Sequence, residues 1–261
     1  MTTESRNARD SGDARLYVYG IVRADHPLPA GHPGVGSPPG RLRSLPAGAL
    51  AAVVSRAPER LLARRRDLLA HQRSLLALAA DGPVAPMRFG MIAADADAVL
   101  GELAGAEAEH LRTLERLDGR CEMNLKVFPR EDALADLLRV DPRLHRLRAA
   151  ARRRPGYESS VRLGEAIARG LHRWAAGAAA EALRTLAPLA DAAVAGPEVT
   201  GCVRNTSFLV RREALDDFVA EATRQTAAAS RRAELRLSGP LPCFSFVSAA
   251  RQDAPTPTGR G

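Results

Sequence analysis

Lysine is all but missing from this chain. Lys126 is the only one, so arginine carries nearly all of the positive charge. Aromatic residues are scarce as well, at 4% of 261 residues, and the three cysteines, Cys121, Cys202 and Cys243, form no C-x-x-C pair. That spacing excludes a disulfide framework or a zinc ribbon, and the thiols read as small buried hydrophobes of a reducing compartment. No stretch reaches the roughly 20 apolar residues of a membrane-spanning helix, and the charged start, Met1 to Arg15, lacks the apolar core of a secretory leader. These absences predict a soluble intracellular protein. With few aromatics in a chain that is 46% hydrophobic, alanine, leucine and valine must fill the interior, and helices should pack closely through small side chains.

The formal charge of +8 suits a polyanionic partner such as a nucleic acid. Arginine beside abundant alanine, glycine and proline is better explained as the imprint of GC-rich codons. Arg64-Arg65-Arg66 and Arg152-Arg153-Arg154 are the strongest basic clusters. The first reads as the solvated outer face of a helix, alternatively as the polar side of a membrane-surface helix, and the second closes a charged segment over Arg143–Arg154. An RNA-reading sheet would show paired aromatics on its strands. Tyr17 and Tyr19 are the only near match, without the glycine and basic residues that accompany such pairs.

Periodicity outlines the fold. Leu16–Val22 and Leu50–Ser55 predict strands, separated by a Pro/Gly loop over 24–46. Leucine pairs at 61/62, 68/69 and 75/76 predict a helix over Glu59–Ala80, and Val84–Ile92 a third strand. A helix over Asp95–Leu117 and a strand over Glu122–Phe128 follow, then helices over Glu131–Val140 and Glu158–Leu186. Val199–Arg204 and Ser207–Val210 read as strands, Arg212–Ala229 as a helix, and Ala233–Leu237 as a strand. The closing run, Gly239-Pro240-Leu241-Pro242-Cys243-Phe244-Ser245-Phe246-Val247, reads as extended, because its prolines oppose helix. A tail this apolar should complete a sheet or dock on one.

The predicted class is α+β: two ferredoxin-like (β-α-β) units with long connecting helices, the helices lying on one sheet face. Residues 15–128 would form an N-terminal α+β domain, 129–196 a helical connecting region, and 197–248 a C-terminal α+β unit packing with the helices. Residues 1–14 and 249–261 read as disordered.

Chemistry-bearing motifs are few. The six histidines are scattered without metal-ligand spacing and read as solvated or capping imidazoles. Asp95-Ala96-Asp97 fits a helix N-cap and first-turn charges better than a metal site. Gly31-His32-Pro33-Gly34-Val35-Gly36 lacks the spacing of a phosphate loop and contains a proline. Neither a P-loop nor a nucleophile elbow occurs. An enzyme using Asp95 or His110 is the weakest of the readings, and no cofactor is implied. Arg88, between Met87 and Phe89, would contact a partner or pair with a neighbouring carboxylate.

Three segments occur in an order that resembles one family. Leu16-Tyr17-Val18-Tyr19-Gly20-Ile21-Val22, Pro86-Met87-Arg88-Phe89-Gly90, and the closing Gly239-to-Val247 run are similar to the first strand, central "P-x-RFG" segment and terminal "GPxPxxSFV" segment of the gas vesicle protein L/F family (GvpL and GvpF). The likeness spans residues 16–247, departing at Leu241 and at Cys243-Phe244. It implies a non-enzymatic accessory or minor structural protein, cytoplasmic before assembly and then vesicle-associated. Such a protein helps assemble or nucleate the shell, binding its small hydrophobic subunit and other accessory proteins. Candidate contact residues are Arg88, Phe89, Phe244 and Phe246. A basic α+β nucleic-acid-binding protein is the alternative.

Overall fold

The computed structural model describes residues 15–247; the predicted disordered ends, 1–14 and 249–261, lie outside the described residues. The chain divides into two compact units, one comprising 1–122 with 240–261, the other 123–239.

The first unit is built on β1 (Leu16–Arg23), β2 (Arg43–Ala47) and β3 (Leu50–Arg56), with the two-residue strands β4 (Ala85–Pro86) and β5 (Ile92–Ala93). The sheet order is β2-β3-β1-β4, β5 also pairs with β1, and the pairings are antiparallel. β1 is buried along nearly its whole length, because helices cover both sheet faces rather than one. Tyr17, Tyr19 and Val22 face Leu75 and Leu78 of α1 (Arg65–Asp81). Leu16, Val18 and Ile21 face Val99 and Leu103 of α2 (Ala96–Gly105) and Leu114 of α3 (Glu107–Leu117). The switch from even to odd numbering follows a register shift between Val18 and Gly20. A Cβ at Gly20 would stand 2.9 Å from the Ala85 carbonyl oxygen, so glycine lets the short β4 approach.

Several elements differ from expectation. β2 takes up the end of the predicted loop, with charged Arg43 and a proline at a sheet edge where both are tolerated. α1 begins at Arg65, not Glu59, after an extended Arg64 (φ −73°, ψ 144°). Its buried stripe is Asp67, His71, Ser74, Leu75 and Leu78, at i, i+4, i+7, i+8 and i+11, while Leu68 and Leu69 are exposed. The predicted third strand is interrupted by a turn, closed by the Met91 amide donating to the Arg88 carbonyl and requiring Gly90 at φ +95°. The single helix predicted over Asp95–Leu117 is two, broken at Ala106 (φ −123°, ψ 20°). The closing run is not extended throughout: Phe244–Val247 form a helical turn that docks in the first unit.

The second unit takes β6 (Arg120–Pro129) as a central strand. After it come α4 (Leu134–Val140), α5 (Pro142–Arg153), α6 (Tyr157–Leu186), β7 (Ala192–Ala195), β8 (Arg204–Arg211), α7 (Leu215–Ala229) and β9 (Ala233–Leu241). The final helical turn, Phe244–Val247, is α8. The sheet order is β7-β8-β6-β9, so β-α-β-β-α-β runs in the ferredoxin-like sequence. β6, read from sequence with the N-terminal strands, belongs to this second sheet. The predicted strand over Val199–Arg204 is largely turn, and β7 lies upstream of it. Ala175, Ala178, Ala179 and Ala182 of α6 and Phe218 and Ala222 of α7 pack on Met123, Leu125, Val127, Phe208 and Val210. Small side chains let α6 lie close to the sheet, as the composition required. Leu137 of α4 and Leu144 of α5 close around Gly170 of α6, where a Cβ would meet Leu137 at 2.9 Å.

Candidate functional site

The first unit gathers most of its aromatic side chains around one histidine. Tyr17 and Tyr19 project from the same face of β1, His71 comes from the buried stripe of α1, Phe89 from the turn after β4, and Phe244 from α8. Ring centroids lie 5.6 Å from His71 for Tyr17, 5.7 Å for Tyr19, 5.8 Å for Phe89 and 6.2 Å for Phe244. Two of the predicted contact residues, Phe89 and Phe244, therefore meet at a buried histidine rather than at the solvated or capping imidazole that the sequence predicts.

Hydrogen bonds fix the tautomer of His71. Its Nε2 lies 3.0 Å from the Met87 carbonyl oxygen, which can only accept, so the proton sits on Nε2. Nδ1 then accepts from the Tyr17 hydroxyl at 2.9 Å. That same hydroxyl accepts the Gly90 amide at 3.3 Å. Burial pushes the imidazole below its ordinary range, opposed by the bond to Met87, and pushes the Tyr17 phenol well above its own. Both groups stay neutral near pH 7. Neither His71 nitrogen is free to move a proton, and the network instead ties the Met87–Gly90 turn to β1 and α1.

Tyr19 performs the same task on the opposite loop. Its hydroxyl accepts the Val35 amide at 2.7 Å and lies 3.1 Å from the Ser55 hydroxyl. Ser55 reaches the Arg56 carbonyl at 3.3 Å, which leaves the Tyr19 proton for Ser55. Burial raises the Tyr19 pKa. Asp67, buried one turn before His71, accepts the Gly36 amide at 3.2 Å and pairs with Arg66 at 3.4 Å. Tyr17 and Tyr19 are 0% exposed, so no aromatic platform for nucleotide stacking exists on β1.

The remaining predicted residues separate. Arg88 is exposed on the turn and has no ion-pair partner among the described residues. Phe246 is buried at 3% exposure, and its carbonyl accepts Arg116 Nη2 at 2.5 Å. Between the two phenylalanines, Ser245 donates its amide (2.9 Å) and hydroxyl (2.8 Å) to the carboxylate of buried Glu122. The apolar tail is thus clamped into the first unit. Asp95 caps α2 by accepting the Ala98 amide at 2.8 Å, as read from sequence.

The leucine heptad does not reveal His71 and Asp67, because Leu68 and Leu69 are exposed and only Leu75 of the repeat shares their buried stripe. Their i, i+4 spacing ahead of Leu75 and Leu78 was the available signal. Among the described residues no three His, Cys, Asp or Glu side chains gather as metal ligands, and no helix is long and apolar enough to cross a membrane.

A clamped tail, a pinned turn and a buried aromatic core make a scaffold that presents surface, with no free reactive group in this cluster. Comparison with known proteins gives that scaffold a family. The model described as "Gas vesicle synthesis protein GvpL/GvpF" matches residues 15–248. Gas vesicle protein F of Streptomyces sp. (strain CB03234) is 43% identical over 235 residues, covering 88% of this chain and 98% of that relative. Gas vesicle protein L of the same strain is 30% identical over 266 aligned positions, covering 93% of this chain and 96% of that relative. Crystal structures of GvpF from Anabaena sp. PCC7120 and from Microcystis aeruginosa share the fold. Their TM-scores are 0.72 and 0.69 at 23% and 22% identity, with 90% of this chain and 98% and 99% of theirs covered. The chain belongs to the GvpL/GvpF family of gas vesicle proteins.

Proposed function

We propose that this protein is a non-catalytic assembly factor that helps build or nucleate the gas vesicle shell by holding the shell's small hydrophobic subunit in the cytoplasm until it is incorporated. The observation that carries this reading is the family match across residues 15–248, whose description is one of gas vesicle synthesis. A subunit that turns an apolar face to gas would aggregate in water, so a partner must cover that face beforehand.

Two features of the first unit suit such a partner. The turn pinned by His71 carries exposed Arg88 at its start and Met91, 47% exposed, at its end. Leu68 on α1 is exposed at 42%. Methionine and leucine on a fixed backbone offer an adaptable apolar surface, and β2 is a sheet edge open to strand addition. Phe89 and Phe244 support this surface from beneath, and Phe246 anchors the tail. Other vesicle accessory proteins are further partners in this reading.

The test is co-purification of the tagged protein with the shell subunit from vesicle-forming cells, alongside deletion of its gene. Association with loss of vesicles upon deletion is expected. Normal vesicles and no association discard the reading.

A further inference from the structure

One face of the first unit holds a cavity of about 770 Å³, walled by residues 35–41, 56–62, 64, 66 and 67. Five of its lining side chains are arginines, Arg41, Arg56, Arg60, Arg64 and Arg66, against two carboxylates, Glu59 and Asp67. Asp67 is already committed to Arg66 and to the Gly36 amide. Arg41, Arg56, Arg60 and Arg64 have no ion-pair partner among the described residues. A cavity with that surplus of guanidinium groups is matched by an anion, since each planar fork can grip a carboxylate or phosphate through two parallel hydrogen bonds.

The other walls decide which anion. Val35, Pro38, Pro39, Pro58, Leu61 and Leu62 line the cavity, and no aromatic side chain does. Proteins that hold single-stranded nucleic acid stack its bases on aromatic side chains, and a duplex is too wide for a cleft of this volume. A lone inorganic anion would leave most of this volume and the aliphatic walls unused. Carboxylates interspersed with branched apolar side chains satisfy both kinds of wall. Leu62 is 43% exposed, which extends the aliphatic surface to the rim.

We infer that this cavity is a docking site for an acidic, leucine-rich polypeptide segment of a partner protein, held by Arg41, Arg56, Arg60 and Arg64 and seated against Pro58, Leu61 and Leu62. The inference rests on the reading above only in taking a protein as the ligand. Arg60 and Arg64 reach the cavity from non-helical chain ahead of α1, where the sequence predicts helix, while Arg66 lines it from the first turn of α1.

The test uses the full chain and a short fluorescein-labelled peptide of mixed glutamate and leucine, followed by anisotropy at low and moderate salt. The variant Arg56→Gln/Arg60→Gln/Arg64→Gln should weaken binding by at least about tenfold with an unchanged melting temperature. Arg152→Gln/Arg153→Gln/Arg154→Gln removes the same charge elsewhere and should leave binding as it was. Pyrophosphate and a single-stranded oligonucleotide should compete poorly. Equal loss in both variants, tighter binding of either competitor, or no peptide binding at low salt overturns the inference. The assay contains no vesicle component, so its failure leaves the shell-subunit reading to its own co-purification test.

Discussion

The carboxylate of Glu122 receives both the amide and the hydroxyl of Ser245, a residue 123 positions later in the chain. Alternation along β6 put Glu122 among the polar positions that normally face water, yet it is 4% exposed. Hydrogen bonds to a charged acceptor contribute about 1.5–3 kcal/mol each when buried. Ser245 is only half-buried, so Ser245→Ala should cost about 1–2 kcal/mol in urea unfolding. Glu122→Ala should cost more and expose the tail around Cys243 to limited proteolysis, whereas Glu122→Gln keeps one acceptor and should recover part of the loss.

His71→Phe preserves a ring among Tyr17, Phe89 and Phe244 but strips partners from the Tyr17 hydroxyl and the Met87 carbonyl. The Tyr17 proton and the Met87 carbonyl left without their partners cost about 2–4 kcal/mol together, while the Gly90 amide keeps its bond to the Tyr17 oxygen. Equilibrium denaturation at pH 7.5 measures it.

The same residue shapes the pH dependence. Burial lowers the folded pKa of His71 below its ordinary value near 6.5, so the unfolded chain binds a proton that the folded one refuses. Its stabilising contribution is complete above about pH 6.5 and declines as pH falls from there toward the lowered folded value. At the alkaline end the raised pKa values of Tyr17 and Tyr19 act oppositely. Their contribution is lost as pH rises past about 10, where the unfolded phenols ionise. The difference in unfolding free energy between wild type and His71→Phe should shrink between pH 7 and pH 5.5; a constant difference would contradict the assignment.

Gly34→Ala should be among the most damaging small changes in the first unit. A Cβ there would lie 2.4 Å from both the Gly40 carbonyl oxygen and the Tyr19 hydroxyl oxygen. Neither neighbour can yield cheaply, one being backbone and the other bonded to Val35 and Ser55. A loss of about 1–3 kcal/mol is expected, read as a lowered thermal midpoint.

Arg88→Ala separates presentation from stability. An exposed guanidinium without an ion-pair partner should leave the melting temperature unchanged within error. Capture of the shell subunit should weaken if the pinned turn is a contact surface, as a pull-down from vesicle-forming cells would read.

Local patterning made much of this protein legible. β1 stood out through its β-branched and aromatic run, and α6 through alanines and leucines at helical spacing. Asp95 as a cap followed from its place before the helix. What escaped was decided by distant partners. β2 carries arginine, serine and proline because it is an edge, so its composition is that of a loop. Glu122 and Asn124 occupy polar positions of β6, yet both are buried. Asn124 Nδ2 meets Asn205 at 2.8 Å and Ser207 at 3.1 Å, and only the folded sheet brings those residues within reach. The cluster around His71 draws on four chain segments, and its one local hint was the spacing from Asp67. The closing phenylalanines looked like a strand because the preceding prolines forbid helix at their own positions; the prohibition ends before Phe244.

The first unit is assembled from residues 1–122 and 240–261, with 123–239 emerging between them. During synthesis the intervening unit has all of its strands and helices outside the ribosome before α8 appears. Until then Glu122 lacks its two donors and His71 lacks the Phe244 ring, so a nascent chain must carry an open, sticky surface through most of its own translation. Premature termination after Leu241 but before Phe244 would therefore release a polypeptide whose later-made half is finished and whose earlier-made half never shuts.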